Sequence, residues 1–293
     1  MISVQQGARL AAFAVTVAGS LALSGAPSAA PAAKGDALKG DVLAPHRAVY
    51  DLKMIKTRGT GRVEAVRGRI LYDFSGSACA GYELQFRQVS ELSSGEGSVA
   101  LSDLRSTTWE DTAAKKFRFN SENRLNDRTL ESVNGQAERH KSAVAVKLSK
   151  PKSKSVSLPA GLVFPTEHMR RIIEAAQAGK SVLELVVYDG SETGEKLYDT
   201  LTVIGKKIEP GDKPPDDAAA KEPALAKLAR WPVTISYFEK KKDGKHEEQQ
   251  PVYAISFELY ENGISRALVL SYADFTIGGT MTALEMKTPK PCK

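Results

Sequence analysis

Residues 252–272 read VYAISFELYENGISRALVLSY, the clearest strand–turn–strand pattern in the chain. Apolar and polar side chains alternate on both sides of Asn262-Gly263, which is the spacing of a β-strand with one buried face. An Asn-Gly pair tolerates the positive φ angles that a tight hairpin turn requires. The stretch therefore predicts two antiparallel strands joined by a short turn.

The same alternation recurs through most of the chain from residue 46 onward. It is clear in HRAVYDLKMI (46–55), GYELQFRQVSEL (81–92) and WPVTISYFEK (231–240). Further candidate turns are Asn134-Gly135, Asp189-Gly190 and Asp243-Gly244. Roughly 11 to 14 strands of this kind predict an all-β protein with one large antiparallel sheet. A sheet of that size curls, closes or splits rather than staying flat.

One segment, FPTEHMRRIIEAAQAGKS (164–181), has helical spacing instead. Thr166 is the candidate N-cap, and Gly179 stands where a helix-ending glycine is expected. We predict an amphipathic helix over about residues 166–178. Its apolar stripe consists of Met169, Ile172, Ile173 and Ala176. A lone helix among strands can bury such a stripe only against the sheet, at the mouth of a curled barrel or inside it.

The first 32 residues resemble a targeting segment rather than part of the fold. A positive charge at Arg9 precedes an apolar run over 10–23, and small residues with Ala-x-Ala-like cleavage options follow. A retained membrane anchor is the competing interpretation, but the run is shorter than the ~20 residues that span a bilayer. We interpret 1–32 as a signal peptide and spacer, and 44–292 as a single β domain. The mature chain is then expected outside the inner membrane, without spanning it.

The chain has two cysteines, Cys79 and Cys292. In an oxidising compartment an even number of cysteines favours disulfide bonding, and one intramolecular pairing exists for two. The alternatives are an intermolecular bridge and a free, reactive Cys79.

The sequence contains no recognisable catalytic or metal-binding constellation. The His-Glu-x-x-His, Cys-x-x-Cys and Gly-x-Ser-x-Gly motifs are absent, so neither a metal nor a cofactor is predicted. The net charge of +6 comes from scattered residues rather than a basic stripe, which argues against nucleic-acid binding. Trp109 and Trp231 are interpreted as core residues rather than a carbohydrate platform. A hydrolase using Cys79 or His168 is a remote hypothesis.

Several short motifs are similar to those of a known family. They are Leu158-Pro159-x-Gly161, Phe164-Pro165-Thr166-Glu167-His168, Ala178-Gly179, Tyr188-Asp189-Gly190-Ser191 and Tyr198-Asp199-Thr200. With these motifs the chain resembles the EipB-type family of cell-envelope integrity proteins of Gram-negative bacteria. The resemblance implies a periplasmic β-sheet spiralled into a broken barrel around a central cavity. Cys79 and Cys292 match the family's disulfide positions, and the family carries no established catalytic residues.

One segment departs from that family pattern. Residues 211–225, GDKPPDDAAAKEPAL, are longer and richer in acidic residues and proline than the resemblance leads us to expect. We interpret them as a loop within the sheet, with a domain boundary as the alternative.

The predicted function is that of a non-enzymatic periplasmic protein that maintains the cell envelope by binding or scaffolding another envelope protein. The alternative is a carrier of lipid or lipoprotein acyl chains, since a curled sheet with a helix at its mouth can enclose apolar ligands. The candidate cavity or functional-helix residues are Phe164, Thr166, His168 and Met169.

Overall fold

The computed structural model describes residues 43–57, 63–94, 97–240 and 250–292. The predicted signal peptide and the Asp243-Gly244 turn lie outside these residues. The boundaries proposed for the signal segment and for the 44–292 domain therefore stay predictions.

The described residues form 14 strands in a single sheet, which confirms the all-β prediction. The strands are β1 (His46–Thr57), β2 (Ala65–Ser77), β3 (Gly81–Ser93), β4 (Val99–Glu110), β5 (Lys116–Leu125), β6 (Arg128–Arg139), β7 (Ala143–Lys150), β8 (Lys154–Pro159), β9 (Val182–Val187), β10 (Tyr198–Ile204), β11 (Arg230–Glu239), β12 (Tyr253–Tyr260), β13 (Ser265–Ser271) and β14 (Phe275–Met286). The helix α1 covers Pro165–Gln177, and a short 3₁₀ helix covers Ala218–Lys221.

The strand order is a curled meander that stays open. Consecutive strands pair in antiparallel fashion from β1 to β8 and from β9 to β14, and β1 also pairs with β14. This last pairing places the first and last strands in the middle of the sheet, with β8 and β9 at its two free edges. The predicted Asn262-Gly263 turn is present between β12 and β13, where Gly263 has a φ of 88°.

The chain crosses the gap between the two edges through the segment that joins β8 to α1. Val163 in this segment forms a parallel bridge with Val187 of β9. Its N–H donates to the carbonyl of Val186 at 2.7 Å, and its carbonyl accepts from the N–H of Tyr188 at 3.0 Å. The segment thus ties the start of α1 to the β9 edge.

The helix begins one residue earlier than predicted, and Thr166 is not its N-cap. Phe164 holds the N-cap position without a side-chain hydrogen bond, and Pro165 occupies the first turn. A proline suits this position because its fixed φ fits a helix and its missing N–H has no intrahelical partner to lose. Gly179, with a φ of 70°, follows the helix end as predicted.

The Asn134-Gly135 turn prediction is wrong, because both residues lie inside β6 beside a register shift. The glycine is needed there for packing rather than for a turn. A Cβ atom on Gly135 would come within 2.7 Å of the Phe119 ring and 2.9 Å of the Leu148 side chain. An alternation-based turn prediction cannot distinguish a hairpin glycine from one that makes room for a neighbouring ring.

The inner face of the sheet packs into two hydrophobic cores. The larger core joins β1, β2 and β10–β14 to the helix through residues such as Tyr50, Ile172 and Leu259. The smaller core joins β5–β8 to Phe164 and Tyr188. The helix contributes Ile172 and Ile173 to the larger core at full burial, so its stripe packs against the inner side of the sheet as predicted. Met169 is only half-buried.

Candidate functional site at the start of the helix

Phe164 anchors the start of α1 in the smaller core. Its ring stacks on Phe117 with centroids 5.1 Å apart and meets Tyr188 edge-on at 6.5 Å. Phe119 joins this group by stacking on Phe117 at 5.4 Å. Aromatic pairs in these geometries add stabilisation beyond the area they bury. Phe164 is therefore a packing residue that fixes where the helix starts.

The buried carboxyl group of Glu110 caps the helix in place of Thr166. Glu110 lies at the end of β4 with 1% of its surface exposed. One of its carboxyl oxygens accepts the backbone N–H of Thr166 at 2.7 Å, and the other accepts that of Glu167 at 2.8 Å. Burial raises the pKa of Glu110 to about 7, an effect that these two hydrogen bonds partly offset.

Arg139, at the end of β6, contacts both the segment that leads into the helix and the first helical turn. Its guanidinium group donates to the backbone carbonyls of Ala114 at 2.9 Å and Leu162 at 2.8 Å. It also pairs with the carboxylate of Glu167 at 2.7 Å and lies 4.9 Å from the centre of the Phe164 ring. One arginine thus joins three separate chain segments around the first helical turn.

His168 and Arg170 are buried side chains whose hydrogen-bonding capacity is not fully used. His168 Nε2 and Arg170 Nε have no hydrogen-bond partner among the described residues. Burial lowers the pKa of His168 to about 4, so its imidazole ring is neutral near pH 7. The Glu110 carboxyl is bonded to backbone N–H groups rather than to a hydroxyl or thiol nucleophile. The arrangement is suited to holding a helix in place.

The two cysteines form a disulfide bond between a turn and the C-terminal tail. Cys79 and Cys292 are joined with their Cα atoms 5.5 Å apart and 213 positions apart in the sequence. Cys79 lies between β2 and β3, and both residues are exposed. Lys290 also donates its backbone N–H to Gly76 at 3.0 Å, which continues the attachment of the tail to this turn.

The two tryptophans have different environments, and the core interpretation is wrong for Trp109. Trp231 is 4% exposed and belongs to the larger core. Trp109 pairs across the sheet with Glu83 and Arg118, on the outer face. The Arg118 guanidinium lies 4.2 Å from the centre of the Trp109 ring and covers it.

The acidic, proline-rich segment 211–225 docks onto the sheet through a buried ion-pair network. Asp217 accepts from Arg266 Nε at 2.9 Å, and Glu258 accepts from the same guanidinium at 2.5 Å. Arg230 also pairs with Glu258 at 2.6 Å. Because β10 pairs with β11 along the whole length of β10, the segment is a loop between neighbouring strands.

Metal-binding clusters and membrane-spanning helices are both absent from the described ranges. These residues contain no group of three or more His, Cys, Asp or Glu side chains placed to hold a metal ion. The same part of the chain contains no helix long and apolar enough to cross a membrane.

The residues that organise this site were only partly predicted. Phe164, Thr166, His168 and Met169 do lie together at the start of α1, but Glu110 and Arg139 were missed. Glu110 lies on the inner face with Thr108, whereas Val99, Leu101 and Trp109 lie on the outer face of the same strand. Alternation of apolar residues along β4 therefore points Glu110 outward, and no local signal identifies it as the cap.

The fold and the capped internal helix define the class of protein as an open, β-barrel-like protein with a disulfide-anchored tail. The family model described as EipB-like matches residues 38–288, and the chain belongs to this family. The chain is 35% identical over 263 residues to the cell envelope integrity protein EipB of Brucella abortus (strain 2308). That alignment covers 90% of this chain and 88% of the relative. The fold is also similar to a crystal structure from Brucella abortus, described as a β-barrel-like protein of a domain of unknown function. The TM-score is 0.76 at 34% identity, over 84% of this chain and 99% of the other.

Proposed function

We propose that the chain is a periplasmic binding or scaffolding protein that maintains the cell envelope by holding another envelope protein. Membership of a family with a cell envelope integrity protein supports the general role. The sequence of the first 32 residues supports the periplasmic location. One observation favours a partner bound on the outer surface of the sheet over a ligand carried inside it. The inner face of the sheet is occupied by the protein's own helix.

The inner face offers little continuous apolar surface for a long ligand. Ile172 and Ile173 of α1 are fully buried against the larger core. In the register of β3–β5, the polar residues Ser106 and Ser121 share the inner face with Phe86. An acyl chain that ran between the two cores would lie across polar positions, which costs free energy for each group left without a hydrogen bond.

A carrier of lipid or lipoprotein acyl chains is the second candidate, and a different observation favours it. Several apolar residues packed on the larger core are only partly buried, among them Met54, Leu84, Phe86 and Met169. Partly exposed apolar side chains of this kind can line the entrance to a ligand cavity. The remote hydrolase hypothesis has less support, because the sulfur of Cys79 is held in the disulfide bond.

Complementation tests the proposed role. A bacterium that lacks its own EipB-family gene is supplied with the full chain, or with a chain lacking residues 1–32, and grown with detergent or a cell-wall antibiotic. We expect the full chain to restore resistance and the shortened chain to fail despite equal expression. Equal rescue by both would contradict a periplasmic site of action.

Lipid analysis separates the two candidate functions. The protein is purified from the periplasm without detergent, and native mass spectrometry followed by solvent extraction measures the bound lipid. A binding or scaffolding protein is expected to carry no stoichiometric lipid. A full equivalent of acyl ligand per chain would replace the scaffold proposal with the carrier.

A further inference from the structure

A groove on the outer face of the sheet crosses strands β4 to β7. One part of it has a volume of about 600 Å³, within the ~300–1,000 Å³ typical of sites that bind small ligands. A second part of about 620 Å³ shares four side chains with the first, namely Trp109, Arg118, Gln136 and Lys147. These four are successive cross-strand partners, so they form one row across the outer face.

The two cations of this row lack the carboxylate partners that other arginines of the outer face have. On β2 and β3, Arg67, Arg69 and Arg87 each pair with a carboxylate of a neighbouring strand at 2.8 or 2.9 Å. Arg118 and Lys147 are exposed, and neither pairs with a carboxylate among the described residues. Their charges are therefore available to a ligand.

Trp109 positions the guanidinium group of Arg118 without neutralising it. The guanidinium lies over the indole ring, 4.2 Å from its centre. The ring also lies against Gly81, where a Cβ atom would come within 2.9 Å of it. An arginine placed over an aromatic ring keeps its charge and can still direct its fork of N–H donors at a carboxylate or a phosphate. Trp109 is thus a support for Arg118 rather than a surface on which a sugar ring stacks.

Neutral hydrogen-bonding groups lie beside the row of four. Asn120 and Asn134 are cross-strand partners, two positions from Arg118 and Gln136 on the same face. The hydroxyl of Ser149 donates to Oδ1 of Asn134 at 2.6 Å, and the amide nitrogen of Asn134 donates to no described residue. Side-chain amides both donate and accept hydrogen bonds, as the hydroxyl groups of a sugar require.

The charge balance of the groove is positive. The titratable side chains that line its two parts are Glu83, Lys116, Arg118, Glu138, His140 and Lys147. One of the two carboxylates, that of Glu83, already pairs with Lys290 at 3.4 Å. The other, that of Glu138, belongs to the cross-strand partner of Lys116. The remaining excess of positive charge attracts an anion, whereas the same groove of a second copy would meet it with charge of the same sign.

We propose that this groove binds an acidic saccharide, a short sugar chain that carries a carboxylate or a phosphate group. Arg118 and Lys147 bind the anionic group, and the side-chain amides around them bind the sugar hydroxyl groups. The row crosses three inter-strand spacings, or about 14 Å, which is longer than one sugar ring. The site lies on the opposite face of the sheet from the helix. It is additional to the partner protein proposed above and does not depend on it.

Four saccharides test the required chemistry. They are tri-galacturonic acid, its methyl ester, in which the carboxylates are neutral, maltotriose with a terminal phosphate, and maltotriose itself. Isothermal titration calorimetry with the mature chain purified from the periplasm measures the affinities at low ionic strength. We expect at least one of the two acidic saccharides to bind, more weakly as salt is added, and the two neutral ones to fail. The acidic saccharide that binds identifies the anionic group as a carboxylate or a phosphate.

Substitutions in the row locate the site. Arg118→Gln and Lys147→Gln each remove one charge from an exposed position, and we expect each to weaken the binding about tenfold. Arg118→Lys keeps the charge but loses the planar fork, so its affinity should lie between those of the wild type and Arg118→Gln. Arg67→Gln, which removes an exposed arginine of β2 outside the groove, is the matched control and should bind like the wild type. Circular dichroism establishes that all four variants are folded.

Several results would overturn the inference. They are the failure of both acidic saccharides to bind at millimolar concentration, equal binding of the neutral methyl ester, unchanged affinity in both Arg118→Gln and Lys147→Gln, and an equal loss in Arg67→Gln. Binding of inorganic phosphate or acetate as tight as that of the saccharide would refute recognition of the sugar. Self-association of the chain that Arg118→Gln abolishes would instead assign the groove to an acidic surface of a second copy. Complementation tests the proposed function separately, so either proposal can fail while the other stands.

Discussion

Glu110 at the end of β4 caps the helix α1 by accepting the backbone N–H of Thr166, 56 positions later in the chain, at 2.7 Å. A second bond, from the N–H of Glu167 at 2.8 Å, uses the other oxygen of the same carboxyl group. The first N–H groups of a helix have no intrahelical partners, and a buried helix start must find them elsewhere. In this fold a residue of a distant strand provides the acceptors, so the sheet and the helix stabilise each other.

Removing this cap should destabilise the whole domain. Glu110→Ala leaves two buried N–H groups without acceptors, and we expect the free energy of unfolding to fall by about 2–3 kcal/mol. Urea denaturation at pH 7 measures the change. Glu138→Ala, which removes an exposed carboxylate from β6, is the control and should change the stability by less than ~0.5 kcal/mol. A similar loss in both variants would contradict the capping role.

The raised pKa of Glu110 predicts a specific pH dependence. The folded protein holds this proton more tightly than the unfolded chain, with pKa values of about 7 and 4.5. The stability that this group contributes is therefore fully present below pH 4.5 and is lost as the pH rises through 7. His168 acts in the opposite sense: its pKa is lowered from 6.5 to about 4, so its contribution is lost as the pH falls through this range.

Glu110→Gln separates the two effects, because it removes one titration and leaves that of His168. The free energy of unfolding of this variant minus that of the wild type should increase as the pH rises from 4.5 to 7.5, because only the wild type loses the contribution of Glu110. Urea denaturation across the series gives the difference directly. A constant difference would mean that Glu110 does not titrate in this range.

The disulfide bond should matter for the stability of the domain more than for its shape. It closes a loop of 213 positions, for which the chain-entropy model gives a stabilisation of about 5 kcal/mol. We expect Cys292→Ser to lower the free energy of unfolding by about 2–5 kcal/mol under oxidising conditions. Cys79→Ser should lower the free energy of unfolding by the same amount. Adding a reducing agent should lower the stability of the wild type to that of both variants. A larger effect in one variant would point to a separate role for that cysteine.

The sheet was predictable from the sequence because its signals are local. Alternation around Asn262-Gly263 needs only neighbouring residues, and so does the stop at Gly179. The parts that were missed depend on contacts between distant segments. The cap from Glu110 to Thr166 joins residues 56 positions apart, and Gly135 is required by the Phe119 ring of a neighbouring strand. No pattern in a short window contains this information.

The ion pair between Asp217 and Arg266 should determine whether the acidic loop stays on the sheet. Their side chains are 2% and 7% exposed, whereas the Asp216 side chain, which pairs with the same guanidinium at 2.6 Å, is 93% exposed. Asp217→Ala leaves Arg266 buried without one of its partners, and we expect a loss of about 3 kcal/mol. Asp216→Ala removes a solvated partner and should cost at most about 1 kcal/mol.

The same pair can be tested for direct coupling. In a double-mutant cycle with Arg266→Ala, the Asp217 substitution should cost much less once the arginine is gone, because no buried charge is then left without a partner. Urea denaturation measures all four proteins, and limited proteolysis between residues 211 and 225 reports release of the loop. Additive losses in the cycle, or cleavage that does not increase in Asp217→Ala, would show that other contacts hold this loop. Cleavage that increases equally in Asp216→Ala would show that burial of the ion pair is not what secures it.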